Sequence, residues 1–203
     1  MVAPLAERPA DGLAPVYDRY APALHAYYRS LLGEPADADE AVQDTFIIAD
    51  AELDGLRDPG RLRPWLYAVA RNECRHRLRS RALAAPPDAA NELADETVDL
   101  AADAERAQLR AATGAALAGL SADDREIVEL NLRHDLAGQD LADVLGVSVR
   151  RAQALVPPAR GRFEASLRAL LTARTGRESC PQLAAIMSGW DGRLDALLRK
   201  RGR

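Results

Sequence analysis

Arginine side chains recur at helical spacing in the first half of the chain, and they are the residues best suited to chemistry. Arg71, Arg75 and Arg79 are four residues apart, which places them on one face of a predicted helix. Of the 27 basic residues, all but Lys200 are arginine. Guanidinium groups bind phosphates and base edges well, although genomic base composition alone would also explain this excess. The spacing indicates a surface for an anionic partner.

The charge of the chain alternates in blocks about as long as whole helices. Residues 34–54 hold eight acidic residues and no basic one, whereas residues 55–81 hold eight arginines and two acidic residues. Residues 82–105 hold seven acidic residues and again no basic one. Solvated helix faces would explain a single run of this kind. Alternation at this length favours the other interpretation, in which separate surfaces meet oppositely charged partners.

Residues of the types that carry catalysis or bind metals are few and scattered. The three histidines, His25, His76 and His134, are far apart, and no phosphate-binding glycine loop or cluster of metal ligands accompanies them. Cys74 and Cys180 lie 106 positions apart, which excludes a disulfide framework and a zinc site of the Cys-x-x-Cys type. We therefore predict that the protein is not an enzyme and needs no cofactor or metal.

The composition of the 203 residues predicts an all-helical protein. Apolar residues make up 48% of the chain and aromatic residues 4%. Most of the apolar residues are alanine and leucine, which favour helices, whereas the β-branched residues that favour strands are few. No apolar run approaches the ~20 residues of a membrane span, and residues 1–12 lack the features of a signal peptide. We therefore expect a cytoplasmic protein.

Apolar periodicity, caps and turn residues divide the chain into helical segments. Pro22 predicts a break or kink in the first helix, and Asp37 is predicted to cap the second. Asp-Pro-Gly at 58–60 marks a loop before the third. Gly138 and Gly146 bracket a short helix that a further helix follows, which is typical of a helix-turn-helix. The predicted helices cover residues 13–32, 38–53, 62–84, 104–117, 122–133 and 139–145, and another begins at Val149.

Three strings of sequence carry a family resemblance. DADEAVQDTF (37–46) and RLRPWLYAVARNECRHRLR (61–79) together resemble region 2 of the bacterial sigma-70 family, in particular of its compact extracytoplasmic-function (ECF) sigma factors. LSADDREIVELNLRHDLAGQDLADVLGVSV (120–149) resembles region 4, a pattern that many other helix-turn-helix regulators share. The resemblance covers residues 13–170. It implies a non-catalytic subunit that binds core RNA polymerase and directs it to promoters.

The resemblance also implies roles for the charged surfaces. In the family, the acidic helix of region 2 docks on the clamp of the polymerase β′ subunit, region 4 meets the β flap, and the helix after the acidic one reads the −10 element of the promoter. Asn72 matches an asparagine whose amide reads a base edge, while arginines bind backbone phosphates. By position, the polymerase-binding residues are Asp39, Glu40, Gln43 and Asp44. The −10 DNA-binding residues are Arg61, Arg63, Trp65, Arg71, Asn72, Arg75 and Arg79.

The recognition helix of the second module departs from the family pattern. The chain reads VRRAQALVPPARGRF (149–163), and a proline inside a helix costs about 3 kcal/mol. We therefore expect the helix to end near residues 155–156, before Pro157 and Pro158, and to read the −35 element with little sequence preference. The remaining candidate −35 DNA-binding residues are Arg150, Arg151 and Gln153.

The resemblance predicts two small helical domains joined by a flexible acidic linker. The C-terminal extension resembles regulatory segments of some actinobacterial ECF sigma factors, and an anti-sigma factor is a further partner that the family allows. The predicted parts are an N-terminal tail (1–12), region 2 (13–84), a linker (85–103), region 4 (104–172) and the extension (173–203).

Two other functions remain open on the sequence. One is a helix-turn-helix regulator that binds duplex DNA without polymerase, and the region 2 strings argue against it. The other is an interaction protein that sequesters polymerase or a regulator without initiating transcription. The unusual recognition helix keeps this second alternative open.

Overall fold

The computed structural model describes residues 9–84, 103–179 and 181, and every regular element among them is helical. This confirms the predicted all-α fold class. The α-helices are α1 (Pro9–Leu32), α2 (Pro35–Glu52), α3 (Leu62–Ala84), α4 (Asp103–Ala118), α5 (Ala122–Val128), α6 (Gly138–Leu145) and α7 (Val149–Ser179). Two 3-10 turns, Leu53–Gly55 and Pro59–Arg61, connect α2 to α3, and a π-helical turn, Glu129–Arg133, follows α5.

The described residues fall into two compact units. The first combines residues 9–84 with Glu129–Ala154, and the second combines residues 103–128 with 155–179. The segment 129–154, which the sequence assigns to region 4, therefore packs with the helices of region 2.

Helices α1, α2 and α3 form a bundle around aromatic side chains. Tyr27 and Tyr28 of α1 and Tyr67 of α3 are almost completely buried. The Tyr28 hydroxyl lies 2.6 Å from Oγ1 of Thr45 in α2 and donates to the carbonyl of Ala70 in α3 at 3.0 Å. Burial raises the pKa of Tyr28, so its hydroxyl stays protonated. One buried polar group thus ties all three helices together.

The ends of α2 and α3 are held by polar contacts. Asp37 does not cap α2, because that helix begins at Pro35 and Asp37 lies in its first turn, where it pairs with Arg81. Arg81 also donates to the carbonyl of Leu32 at 2.9 Å, which joins the end of α3 to the end of α1. Before α3, an Asp58 carboxylate accepts the backbone N–H of Gly60 at 2.9 Å and shapes the predicted loop.

The predicted helix-turn-helix is present as α6, a short turn and α7. Gly146 ends α6 at a φ of 67°, a left-handed conformation that favours glycine. The Ser148 hydroxyl accepts the N–H of Arg151 at 3.3 Å and caps α7. Leu141, Val144 and neighbouring apolar residues of α6 are buried, so one face of this helix is fixed by packing.

The second unit has its own small core. Leu117, Leu120, Ile127, Val128 and Ala159 form a buried cluster. Ser121 begins α5 as predicted: its hydroxyl accepts the N–H of Asp124 at 3.2 Å and donates to the carboxylate of the same residue at 2.7 Å.

The predicted end of the recognition helix is wrong. Helix α7 runs from Val149 to Ser179 and contains Pro157 and Pro158. Both prolines are exposed, whereas Ala159 is fully buried and Phe163 packs on the same core. Burial on the opposite side therefore outweighs the missing backbone hydrogen bonds. For the same reason Pro22 does not break α1, whose neighbouring Leu24 is fully buried.

Several predictions lie outside the described residues. They are the first eight residues of the predicted tail (1–12), nearly all of the predicted linker (85–103), and nearly all of the extension (173–203) beyond residue 179. The described ends of these segments are helical instead: residues 9–12 belong to α1, residue 103 to α4 and residues 173–179 to α7.

Candidate polymerase and nucleic-acid interface

The four residues predicted to bind polymerase lie on the solvent side of α2. Asp39, Glu40 and Gln43 are exposed, and Asp44 is half-buried. The opposite side of α2 packs into the bundle through Ala38, Ala41, Val42, Thr45, Phe46 and Ala49. Asp39 Oδ1 lies 3.1 Å from Nε2 of His25 in α1. Packing therefore presents an acidic surface, which we call the acidic face (Asp39, Glu40, Gln43 and Asp44).

Two carboxylates of the acidic face are held by Arg77 of α3. Its guanidinium donates to Glu40 at 3.0 Å and to Asp44, and its Nε donates to Glu73 at 2.6 Å. The Arg77 side chain is only 17% exposed, so this network is more shielded from solvent than a surface ion pair. The pKa of Arg77 lies above its usual value: burial lowers it, but the hydrogen bonds to the three carboxylates outweigh that effect. Sequence reasoning missed Arg77 because spacing does not show which charges meet across helices.

The predicted −10 residues lie along α3 and the turn before it. Asn72 and Arg79 are exposed, and Arg75 is half-buried. Trp65 is half-buried as well, so it is neither a fully packed core residue nor a free stacking platform. Asn72 and Arg79 therefore stand on an accessible surface, as base-edge or phosphate contacts require.

The other three predicted −10 arginines contact the segment 134–145. Arg61 donates to Asp140 of α6 at 2.7 Å and to Asp143. Arg63 donates to the carbonyl of His134, and Arg71 donates to the carbonyl of Leu145 at 3.3 Å. The predicted −10 residues thus include two exposed ones, Asn72 and Arg79, and three arginines that contact the segment 134–145.

An aromatic pair under this contact was not predicted as a functional site. The Tyr67 hydroxyl lies 2.9 Å from Nδ1 of His134, and the two rings are 5.1 Å apart. Burial raises the pKa of Tyr67 to about 12. Burial, together with the charges of Arg133 and Arg63, lowers the pKa of His134 to about 4. Both side chains are therefore uncharged at neutral pH.

This histidine predicts a specific pH dependence of stability. The unfolded chain binds a proton at His134 near pH 6.5, whereas the folded chain does so only near pH 4. Between these values the unfolded state holds more protons, so the free energy of unfolding falls with falling pH, by up to about 1.4 kcal/mol per pH unit. Urea unfolding across this range should show a smaller slope for His134→Gln than for the wild type. His76→Gln, at an exposed position, is the control. Parallel curves for the wild type and His134→Gln would contradict the assignment.

The predicted −35 residues are accessible. Arg150, Arg151 and Gln153 are exposed in the first two turns of α7. They follow the Ser148 cap directly, so a helix N-terminus and two guanidinium groups are presented together. The predicted basic surface of the second helix of the helix-turn-helix is thus present.

Within residues 9–84, 103–179 and 181, no group of three or more potential ligands is arranged to hold a metal ion. No helix in this part of the chain is long and apolar enough to cross a membrane.

Comparison with known proteins assigns this architecture. A family model described as "Sigma-70 region 2" matches residues 16–83, the three-helix bundle with its acidic and arginine-rich helices. The ECF RNA polymerase sigma factor SigL of Mycobacterium tuberculosis is 29% identical over 137 residues, which cover 66% of this chain and 76% of SigL.

Two solved structures are similar to more than three quarters of this chain. One is the sigma factor RpoE of Bartonella quintana in complex with the anti-sigma factor NepR, with a TM-score of 0.64 and 26% identity over 76% of this chain and 96% of RpoE. The other is CnrH in complex with the cytosolic domain of CnrY, with a TM-score of 0.58 and 27% identity over 79% of this chain and 90% of CnrH.

The bundle of α1 to α3 therefore matches sigma-70 region 2. Its sequence and its helices are similar to those of ECF sigma factors.

Proposed function

We propose that this chain is an ECF sigma factor that binds core RNA polymerase and directs it to specific promoters. The observation that supports it best is that one bundle, residues 16–83, carries two separate surfaces. Helix α2 carries the acidic face, and α3 carries exposed Asn72 and Arg79 on a different surface. A protein that must hold polymerase and DNA together needs two such surfaces of opposite charge.

The acidic face is proposed to bind the clamp of the polymerase β′ subunit. Asp39 and Gln43 are one helical turn apart and exposed, so they are the side chains most available to a basic partner. Glu40 and Asp44 are oriented by Arg77 rather than free to rotate. This ordering lowers the entropy cost of binding a rigid partner. The helix-turn-helix module is proposed to meet the β flap.

The −10 element is proposed to be read by α3 and the turn before it. Asn72 would read one base edge through its amide, while Arg71, Arg75 and Arg79 bind phosphates. Arg61, Arg63 and Trp65 lie where the turn Pro59–Arg61 meets the start of α3, and an extruded base would enter there. This assigns sequence reading to one side chain and positioning to the others.

Helix α7 is longer than the sequence predicts, and its exposed start is proposed to bind −35 DNA. The helix does not stop at Pro157, and Arg150 and Arg151 are exposed in its first turn. Replacing both by alanine should weaken binding of the full chain to a −35 duplex and reduce the salt slope, log Kd against log salt, by up to about 0.9 per lost phosphate contact. Fluorescence anisotropy over a salt series measures this. Arg168→Ala, also exposed on α7, is the matched control, and an equal effect of it would contradict the assignment.

An anti-sigma factor is the proposed regulator. The related RpoE is bound to the anti-sigma factor NepR, and that structure covers 76% of this chain. We also propose that the protein acts in the cytoplasm, where polymerase is, and that it is a transcription initiation factor rather than an enzyme.

Run-off transcription with core polymerase tests the proposal. Promoters are first identified by transcribing a genomic library with the reconstituted holoenzyme, and one of them is then used as the template. Specific transcripts that require this chain would support the ECF sigma function. Duplex DNA binding without transcripts would favour the regulator that acts without polymerase, and polymerase binding that lowers transcription would favour the sequestering protein.

A further inference from the structure

Arg61 is held by two carboxylates of the helix-turn-helix. It ends the 3-10 turn before α3, and its guanidinium donates to Asp140 at 2.7 Å and to Asp143. The Arg61 side chain is 32% exposed, while those of Asp140 and Asp143 are about 40% exposed. Two carboxylates on one guanidinium occupy the donors that would otherwise bind phosphate oxygens.

Neighbouring donors of α3 are occupied in the same way. Arg63 donates to the carbonyl of His134, and Arg71 donates to the carbonyl of Leu145. Each of these three arginines therefore binds an oxygen of the segment 134–145, which lies in the same compact unit. Together these oxygens form a row of acceptors opposite a row of guanidinium groups.

The position of Asp143 is not explained by the stability of its own helix. Asp140 lies in the first turn of α6, where an acidic residue interacts favourably with the helix dipole. Asp143 lies in the second half of α6, where a negative charge faces the partial negative charge of the carbonyl end. Its stabilising charged partner is Arg61, with the Gln139 amide donating to its other oxygen at 2.5 Å.

We propose that Asp140 and Asp143 act as an internal substitute for DNA phosphates, so that the helix-turn-helix and the melted −10 strand compete for the arginines at the start of α3. This inference rests on the proposed function, because it takes these arginines as DNA-binding residues. The closed arrangement leaves Asn72 and Arg79 exposed but occupies Arg61, Arg63 and Arg71. The free chain therefore binds single-stranded promoter DNA weakly until this contact opens.

The competition predicts a salt-dependent change in the affinity for single-stranded DNA. Removing the two carboxylates frees Arg61 without adding a positive charge to the DNA-binding surface. Partly exposed ion pairs contribute modestly, so the affinity for single-stranded DNA should rise by about threefold to tenfold in the double variant. The rise should shrink as salt increases, because salt screens both the internal pairs and the DNA contacts.

The test uses the full chain without polymerase. The variant is Asp140→Asn with Asp143→Asn, and the probe is a fluorescent single-stranded oligonucleotide of random sequence, because phosphate contacts do not depend on sequence. The matched control is Asp50→Asn with Asp135→Asn, which removes two exposed carboxylates that do not contact Arg61. Asparagine tolerates the left-handed φ of 45° at position 135.

A second measurement reports the contact directly. Spin labels at Arg57→Cys and Ala137→Cys, both exposed positions, are placed in a Cys180→Ser background, where Cys74 is buried. The Asp140→Asn, Asp143→Asn chain should show a longer and broader distance distribution than the wild type and the control. Circular dichroism of each chain establishes that the helices are retained.

The outcomes separate the inference from the proposed function. Tighter oligonucleotide binding together with longer label distances, in the variant but not in the control, supports the competition. Equal affinities of variant and wild type, or no binding by either, overturn it, as does an unchanged label distance. Run-off transcription by the wild-type chain decides the ECF sigma function independently, since polymerase is absent from both other measurements.

Discussion

Asp39→Lys is expected to lose most of its binding to core RNA polymerase while it folds as the wild type does. Asp39 belongs to the acidic face, and its side chain is 66% exposed. A lysine there would meet the basic residues proposed on the clamp, and like charges brought together at an interface cost several kcal/mol. We therefore expect roughly a hundredfold loss of affinity, and Gln43→Lys in the same chain should deepen it. Co-purification and titration with labelled core polymerase measure the change.

The choice of Asp39 follows from the structure of the acidic face. Reversing Glu40 or Asp44 would place a lysine against Arg77, so a loss of binding would be confused with a loss of folding. Glu52→Lys is the matched control, because it is also exposed, makes the same change in charge, and lies about 140° around α2 from Asp39. Equal affinities of Asp39→Lys and the wild type would remove the polymerase interpretation of this face.

Local patterns in the sequence predicted most of the helices. Apolar spacing in α2 and α3, the Ser121 cap and the Gly146 turn were sufficient, because each depends on residues within one or two helical turns. The exposure of Asn72 and Arg79 also follows from local spacing, whereas their binding of DNA remains a prediction. Asn72 and Arg79 are exposed on α3 because the buried positions of that helix, such as Leu66 and Ala70, occupy its other side.

Features that depend on contacts between distant segments were not predicted. Pro157 and Pro158 were expected to end α7, but burial of Ala159 on the other side of the helix sustains it. The ion pairs of Arg77 with α2 and of Arg61 with α6 join residues 33 to 82 positions apart. Helical spacing places a charge on a face but does not show which other face it meets. In the sequence His134 is an isolated histidine, whereas in the structure it is buried beside Tyr67.

The arginines of α3 and of the turn before it therefore have three different roles. Arg77 and Arg81 stabilise the bundle through carboxylates of α2. Arg61 and Arg71 contact the helix-turn-helix. Arg79 is exposed on the remaining surface. If all of these arginines were replaced as though they bound DNA, three effects would be confused. These are a loss of folding, a loss of the contact with the helix-turn-helix, and a loss of affinity for DNA.

The second large effect is a loss of base discrimination on substitution of Asn72. It is measured in the holoenzyme, so that the contact between α3 and α6 does not limit DNA binding. An amide has both donors and an acceptor, so it can form paired hydrogen bonds to one base edge. Asn72→Ala should reduce discrimination at a single −10 position by about 1–3 kcal/mol, or roughly fivefold to a hundredfold in relative transcription. Other positions of the element should keep their preferences.

Arg79→Ala separates base reading from positioning on the same helix. Arg79 is exposed like Asn72 and lies two turns further along α3. A phosphate contact carries no sequence information, so this variant should weaken transcription from all −10 sequences by a similar factor and reduce the dependence on salt. The measurement is competitive run-off transcription from templates that carry every base at each −10 position. If Asn72→Ala lowered all templates equally, as expected for Arg79→Ala, then Asn72 would bind the backbone and base reading would belong to another residue of region 2.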